Sequence, residues 1–226
     1  MSQSAKDPTT AESTDTTPFE QFVGGTQYIA DDGLLADVNA AIALGRPLLV
    51  RGEPGTGKTR LAYAIAEALK KPLMTWHVKS TSTAQEGRYH YDVVQRLNDS
   101  RFADVDGVDV SDIRRYIRMG VLGQAFTADK QVVLLIDEID KADVEFPNDL
   151  LRELDEMAFS VPELDETVTA VHRPVTIITS NAERELPDAF LRRCVFHYIR
   201  FPEPDRIRRI IAAHMPGLEA DLVNAA

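Results

Sequence analysis

Cysteine is nearly absent: Cys194 is the single one in 226 residues. One thiol cannot close an internal disulfide, which suits a reducing compartment and leaves stability to the packed core. Long apolar runs are missing too, and nothing approaches the ~20 residues that a bilayer span needs. The N-terminus has no basic stretch followed by an apolar one, so no signal peptide is expected and the chain reads as cytoplasmic. Basic side chains are in deficit, 25 against 36 acidic, for a formal net charge of −11. Such a balance disfavours broad nucleic-acid binding, which works by neutralising phosphates. It is compatible with a local basic patch, and as a whole it reads as solubility. The five histidines are scattered without metal-ligand spacing, and Cys194 has no neighbour that would make it a nucleophile.

Met1 to Thr17 are rich in Ser, Thr, Asp and Pro. With so little to bury, residues 1–18 are expected to form a disordered tail. Beyond them apolar segments alternate between two periods. Leu34–Leu44 reads as a helix stopped by Gly45, Lys58–Leu69 as a helix, and Glu145–Met157 as another. Pro47–Val50, Pro72–Val78, Val132–Ile136, Val175–Thr179 and Val195–Phe201 read as strands. Phe159–Val171 reads as a hairpin and Pro187–Arg193 as a short helix. In Asp205–His214 the arginines Arg206, Arg208 and Arg209 are expected on the solvated face, with Ile207, Ile210 and Ile211 buried. Ser80 to Asp112 is polar and looks irregular, with an acidic loop at Asp104–Asp109; Ile113–Phe126 looks helical in parts. Strands alternating with helices predict an α/β fold with a largely parallel sheet.

Two motifs carry chemistry. Gly52-Glu53-Pro54-Gly55-Thr56-Gly57-Lys58-Thr59 is an unbroken phosphate loop between an apolar strand and a helix. The glycines let the backbone approach phosphate closely, and the N–H groups and helix N-terminus attract it. Lys58 reaches the β- and γ-phosphates, and the Thr59 hydroxyl is suited to Mg²⁺. Some 80 residues on, the buried strand Val132–Ile136 ends in Asp137 and Glu138. Asp137 would hold Mg²⁺ through water, and Glu138 would orient and polarise an attacking water. The paired acids favour water as nucleophile, hence hydrolysis of ATP to ADP.

In motif order the sequence resembles the AAA+ superfamily: the phosphate loop, then Leu135-Ile136-Asp137-Glu138-Ile139-Asp140-Lys141-Ala142, then Thr179-Ser180-Asn181. Arg51 before the loop and Lys141-Ala142-Asp143 after the acids are most similar to the MoxR-type branch. The resemblance covers about residues 34–201. It implies a P-loop αβα sandwich, with an ATPase core over 19–202 and the beginning of a helical lid over 203–226. The lid arginine called sensor 2 is not reached. It implies that Asn181 is sensor 1, placing the lytic water. It implies that Arg193, or second Arg192, is an arginine finger supplied to a neighbour's ATP. It further implies a ring homo-oligomer, usually of six, and a second-helix insertion and pore-facing loop within Ser80–Asp112, where Tyr89, His90 and Tyr91 would either touch a substrate or partner or, as such aromatics more often do, simply pack. Its members act as chaperone-like ATPases, commonly beside a protein with a von Willebrand factor A domain.

Three functions follow from different classes. The leading one is an ATP-driven ring that remodels or activates a partner protein. The second is a nucleotide-dependent assembly or signalling switch with slow or no turnover. The third, a DNA-associated ATPase, is disfavoured by the acidity and the lack of an appended DNA-binding motif. No N-K-x-D guanine-reading motif follows the acidic strand.

Overall fold

A computed structural model describes residues 20–25, 28–106 and 109–214. The tail expected over residues 1–18 lies outside the described residues, as do residues 107–108 of the acidic loop and the lid segment from 215 onward. In chain order the elements are α1 (Asp32–Leu44), β1 (Leu48–Gly52), α2 (Lys58–Ala68), β2 (Leu73–His77), α3 (Ala84–Arg88), β3 (Tyr89–Tyr91), α4 (Val93–Asp106), β4 (Ile117–Met119) and α5 (Val121–Phe126). They continue with β5 (Val133–Asp137), α6 (Phe146–Asp149), α7 (Leu151–Glu156), β6 (Ala158–Val161), β7 (Glu166–Thr169), β8 (Val175–Ser180), α8 (Asp188–Leu191), β9 (Val195–Ile199) and α9 (Pro204–His214).

Five strands form one parallel sheet in the order β2-β5-β8-β1-β9. β5 and β8 are buried at every residue, as expected for central strands covered on both faces. The period of two splits each strand between two cores. Leu48, Val50, Val133, Leu135 and Ile177 pack with Leu34, Leu61 and Ile65 of α1 and α2. Leu49, Leu134, Ile136 and Ile178 face the other way, toward Leu122, Phe126, Leu150 and Phe190. The result is a three-layer αβα sandwich. All five parallel strands point their C-terminal ends the same way, so β1, β5 and β8 deliver the residues that follow them to one edge. Among the described residues no helix is long and apolar enough to cross a membrane.

The helix expected over Glu145–Met157 is present as α6 and α7, with Leu150 still in helical backbone between them. The hairpin expected over Phe159–Val171 is β6–β7. Ser80–Asp112 departs from expectation: much of its described chain is helix and strand, not irregular. α3 and α5 are two halves of one layer, split by an antiparallel pair in which Tyr89 faces Met119 and Tyr91 faces Ile117. α4 is carried between those two strands. Tyr89 is buried, stacks on Phe159 and donates to Glu163 at 2.7 Å, so it is core and does not meet a substrate. Tyr91 is half-buried and accepts from Arg96, leaving His90 exposed.

The split layer is held by close backbone approach. A Cβ on Gly120 would stand 2.0 Å from the Glu86 carbonyl oxygen and 2.5 Å from that of Gly87. Those neighbours are backbone and cannot swing aside. We expect Gly120→Ala to destabilise the fold by about 1–3 kcal/mol, the usual cost of overpacking. The midpoint of thermal unfolding should fall by roughly 2–12 °C for a chain of this size. An unchanged midpoint would mean that the two half-helices slide apart freely.

Candidate functional site

β1 runs into Gly52, and the loop turns through Gly55 (φ 81°) and Gly57 (φ 87°), both in the left-handed region that a Cβ disfavours. Gly57 caps α2 without a side-chain bond, which leaves the first N–H groups of the helix free to face an anion. Lys58 is 6% exposed, and its Nζ donates to the carbonyl oxygens of Gly52 and Glu53, 2.8 Å each. Burial holds its pKa below the usual lysine value, against the opposing pull of Asp140, Glu138 and Asp137. A desolvated ammonium resting on neutral carbonyls gains when anionic oxygens replace them.

The acids of β5 arrive beside this loop. Asp137 is buried, and its Oδ1 accepts the hydroxyls of Thr59 at 3.0 Å and Thr179 at 2.7 Å. Its Oδ2 lies 3.2 Å from His77 Nδ1 at the end of β2. The Thr179 hydroxyl also accepts the Glu138 N–H at 2.8 Å, so one side chain at the tip of β8 orients both acids. Glu138 itself sits in left-handed backbone (φ 60°, ψ 52°). For a residue with a Cβ that costs on the order of 1–3 kcal/mol and is kept where a site requires it. The twist turns the carboxylate from the strand direction toward Asn181, whose Nδ2 donates to Oε1 at 3.1 Å. Lys141 pairs with Oε2, and this contact raises the Lys141 pKa. Asp140, 3% exposed, accepts the N–H groups of Asn181 (3.3 Å) and Glu183 (2.9 Å) and so fastens the tips of β5 and β8 together.

Lys58, Thr59, Glu138 and Asn181 line one cavity of about 370 Å³ with Gly55 and Gly57. Next to it, and sharing those glycines, is a second cavity of about 130 Å³ lined by Tyr28, Ile29, Ile199, Pro202, Arg206 and Ile210. Its apolar walls suit a flat ring, whereas the first suits phosphates. Burial pushes the Tyr28 phenol up to about 12. Arg206 is not on a solvated face as expected. It donates to Asp31 Oδ2 and to the Ile29 carbonyl oxygen, 2.8 Å each, and draws α9 over the cavity. Ile207, Ile210 and Ile211 are half-buried. Thr179, Asp140, His77, Tyr28 and Arg206 escaped sequence reasoning as site residues. Only Asp140 and Thr179 carried a signal there, by adjoining the acidic and Asn181 motifs.

The structure does not bring Arg192 and Arg193 to this cavity. They stand just before β9, at the end where the parallel strands begin, while the phosphate loop follows the end of β1. A five-residue strand separates the two places by roughly 17 Å. Arg193 pairs with Asp155 and donates to the Ala189 carbonyl oxygen at 2.8 Å; Arg192 is exposed.

The model of the AAA domain of the dynein-related subfamily matches residues 47–194, which run from the residue before β1 to the residue before β9. The chain belongs to this AAA family. A stretch of 56 residues is 36% identical to an uncharacterized protein, YojN, of Bacillus subtilis (strain 168). That stretch is 24% of this chain and 18% of that protein, so the chain spans less than a fifth of this relative. Among solved structures, a protein of Cytophaga hutchinsonii described as a candidate ATPase superposes with a TM-score of 0.54 at 13% identity. The match covers 81% of this chain and half of that chain, and at such identity it bears on the fold alone. An AAA domain is a nucleotide-binding fold, and the paired cavities match that role.

Proposed function

We propose that this AAA domain binds ATP with Mg²⁺, hydrolyses it as part of a ring oligomer, and uses the cycle to remodel or activate a partner protein, as in the MoxR-type branch. One observation carries the reading. The phosphate loop, Glu138 and its partner Asn181 line one cavity, and the buried Asp137 is hydrogen-bonded to the lining Thr59. The phosphate loop and α2 would bind the β- and γ-phosphates, and the cavity of Tyr28 and Ile29 would take the adenine. Thr59 Oγ1 and Asp137 converge within 3.0 Å, a hard oxygen pair suited to Mg²⁺. Among the described residues no group of three or more His, Cys, Asp or Glu could hold a metal alone. That fits an ion that depends on phosphate and water for its remaining ligands. When bound, the ion supplies charge neutralisation on the phosphates. Glu138 would accept the proton of the attacking water, with Asn181 fixing the position of both. Residues 19–202 would be the ATPase core and α9 the first helix of a lid. The partner would be a protein, possible company including a von Willebrand factor A domain.

A second reading, an assembly switch with slow turnover, is favoured by one detail. Both Glu138 oxygens are already engaged, by Asn181 and Lys141. A base so held must be released before it can act. Specific ATPase activity measured against protein concentration separates the two. A motor shows activity that rises with concentration, and Lys58→Ala removes both it and ATP binding. Tight ATP binding with no turnover at any concentration would leave the switch in its place.

A further inference from the structure

The sheet has two edges, and they differ. β2 exposes no large apolar side chain. β9, at the other edge, pairs with β1 alone among the described residues, which leaves outward N–H and C=O groups along Val195–Ile199. Edge strands are usually guarded by lysine, proline, a bulge or a covering element. β9 has no lysine and no proline, and its register with β1 runs through all five residues without a bulge. α1 covers one face only: Val195 and Ile199 pack into that core, and His197 pairs with Asp37 at 2.7 Å. The opposite face carries Phe196 and Tyr198, 48% and 47% exposed, and Phe201 just past the strand is 59% exposed. A groove of about 520 Å³ follows this edge, lined from both faces by His197 and Tyr198 and beyond the strand by Arg200, Phe201, Glu203 and Arg209. The groove's other carboxylates are occupied, Asp31 by Arg206 and Asp205 by Arg208. Arg200 and Arg209 have no acceptor among the described residues, and Glu203 alone opposes them.

We propose that this edge docks an extended segment of a partner protein as a sixth strand of the sheet, apolar along β9 and acidic at the end beside Arg200 and Arg209. Main-chain hydrogen bonds to an open edge supply affinity in such docking, and side chains along one face supply choice. Alternate residues of the segment cover Phe196 and Tyr198. Its carboxylates meet a groove whose unpaired charge is positive, in a chain whose net charge is −11. A second copy fits the edge less well. Two β9 strands joined antiparallel would set Arg200 of each copy beside Arg192, which precedes the strand, like charge against like. Ile199, Pro202 and Arg206 line both the groove and the base cavity, so a docked strand shares a wall with the nucleotide. The inference rests on the partner-remodelling reading above for the occupant's being another protein. It adds where, and by what chemistry, that protein is held.

The test is fluorescence anisotropy of the full chain with labelled hexapeptides. A threonine–valine repeat carries a pair of glutamates at one end or the other, since the added strand can run in either direction. One of these peptides should bind saturably. The same peptide with lysines for the glutamates, or with alternate amides N-methylated, should bind at least about tenfold more weakly. Phe196→Ser with Tyr198→Ser should weaken binding by a similar factor at an unchanged unfolding midpoint. Arg200→Glu with Arg209→Glu should reverse the preference between glutamate and lysine. Equal affinity for the two charged peptides, or for the parent and the doubly serine-substituted chain, would overturn the proposal. So would slow amide exchange throughout β9 in the free monomer, which would mean that the chain covers its own edge. A dimer dissolved by Phe196→Ser and Tyr198→Ser would overturn it too, by making the occupant a second copy. Absence of peptide binding in a chain that turns over ATP would sink the docking edge and leave the ATPase reading intact. The expected binding pattern in a chain without turnover would keep the edge and sink the motor.

Discussion

Glu138→Gln is expected to reduce ATP turnover by about two to four orders of magnitude while ATP still binds. The amide keeps the size of the side chain, and it can still bond to Asn181 through its oxygen. What it loses is the capacity to take a proton from water. Nothing in the binding machinery passes through this carboxylate: Lys58 rests on loop carbonyls, and Thr59 and Thr179 bond to Asp137. Binding and hydrolysis should therefore separate cleanly. The backbone at Glu138 is left-handed and already strained, and glutamine tolerates it no better and no worse. Loss of the Lys141 pair removes one exposed contact, so the midpoint of unfolding should barely move. Single-turnover hydrolysis of radiolabelled ATP, run beside an equilibrium binding titration, gives both numbers. Parent-rate turnover in this variant would remove Glu138 as the group that activates water and shift attention to Asp137 or Asp140.

Much of the sheet was legible because its strands are nearly pure apolar runs. Val132–Ile136 and Val175–Thr179 contain almost nothing that could face water, so burial on both faces was the consistent reading. The phosphate loop was legible for a different reason: its glycines, lysine and threonine answer a single geometric demand. Ser80–Asp112 was not legible. β3 and β4 are three residues each and α3 is five, too short for either period to show. The signal there lay in glycines whose role is packing: Gly87 against Trp76 and Gly120 against the Glu86 carbonyl. Close approach between backbone segments leaves no trace in hydropathy.

The site divides in the same way. Local motifs pointed to Lys58, Thr59, Asp137, Glu138 and Asn181, and the structure draws all five around one cavity or its wall. Thr179, which links both acids, stood beside Asn181 in the motif but was legible only as the end of a strand. His77 reaches Asp137 across the β2–β5 pairing, a contact of 60 residues' separation that no spacing rule encodes. Arg206 was misjudged because helical periodicity sees only its own helix. Its partners, Asp31 and Ile29, belong to the chain before α1. Sequence patterns thus resolve what one segment does alone, and the fold decides what distant segments do together.

Arg193→Ala should be nearly inactive, with turnover lowered by about 10³–10⁵, the range that an arginine finger supplies. ATP affinity should stay close to that of the parent. The residue is a strand's length from its own loop, so a direct contact with nucleotide would have to be with another subunit's. Lys58→Ala is inactive for the opposite reason, since it keeps its arginines but cannot hold ATP. Mixing the two dead chains should therefore restore activity. With random assembly at equal amounts, about a quarter of interfaces join a working loop to a working arginine. Turnover should rise toward that share of the parent rate if interfaces act independently, and stay below it if a ring needs several working sites at once. No recovery would be expected if Arg193 served only its own chain, through packing or its Asp155 pair, because each molecule in the mixture would remain as defective as before. The same mixture thus reports both that the site is shared and how many shared sites one cycle requires.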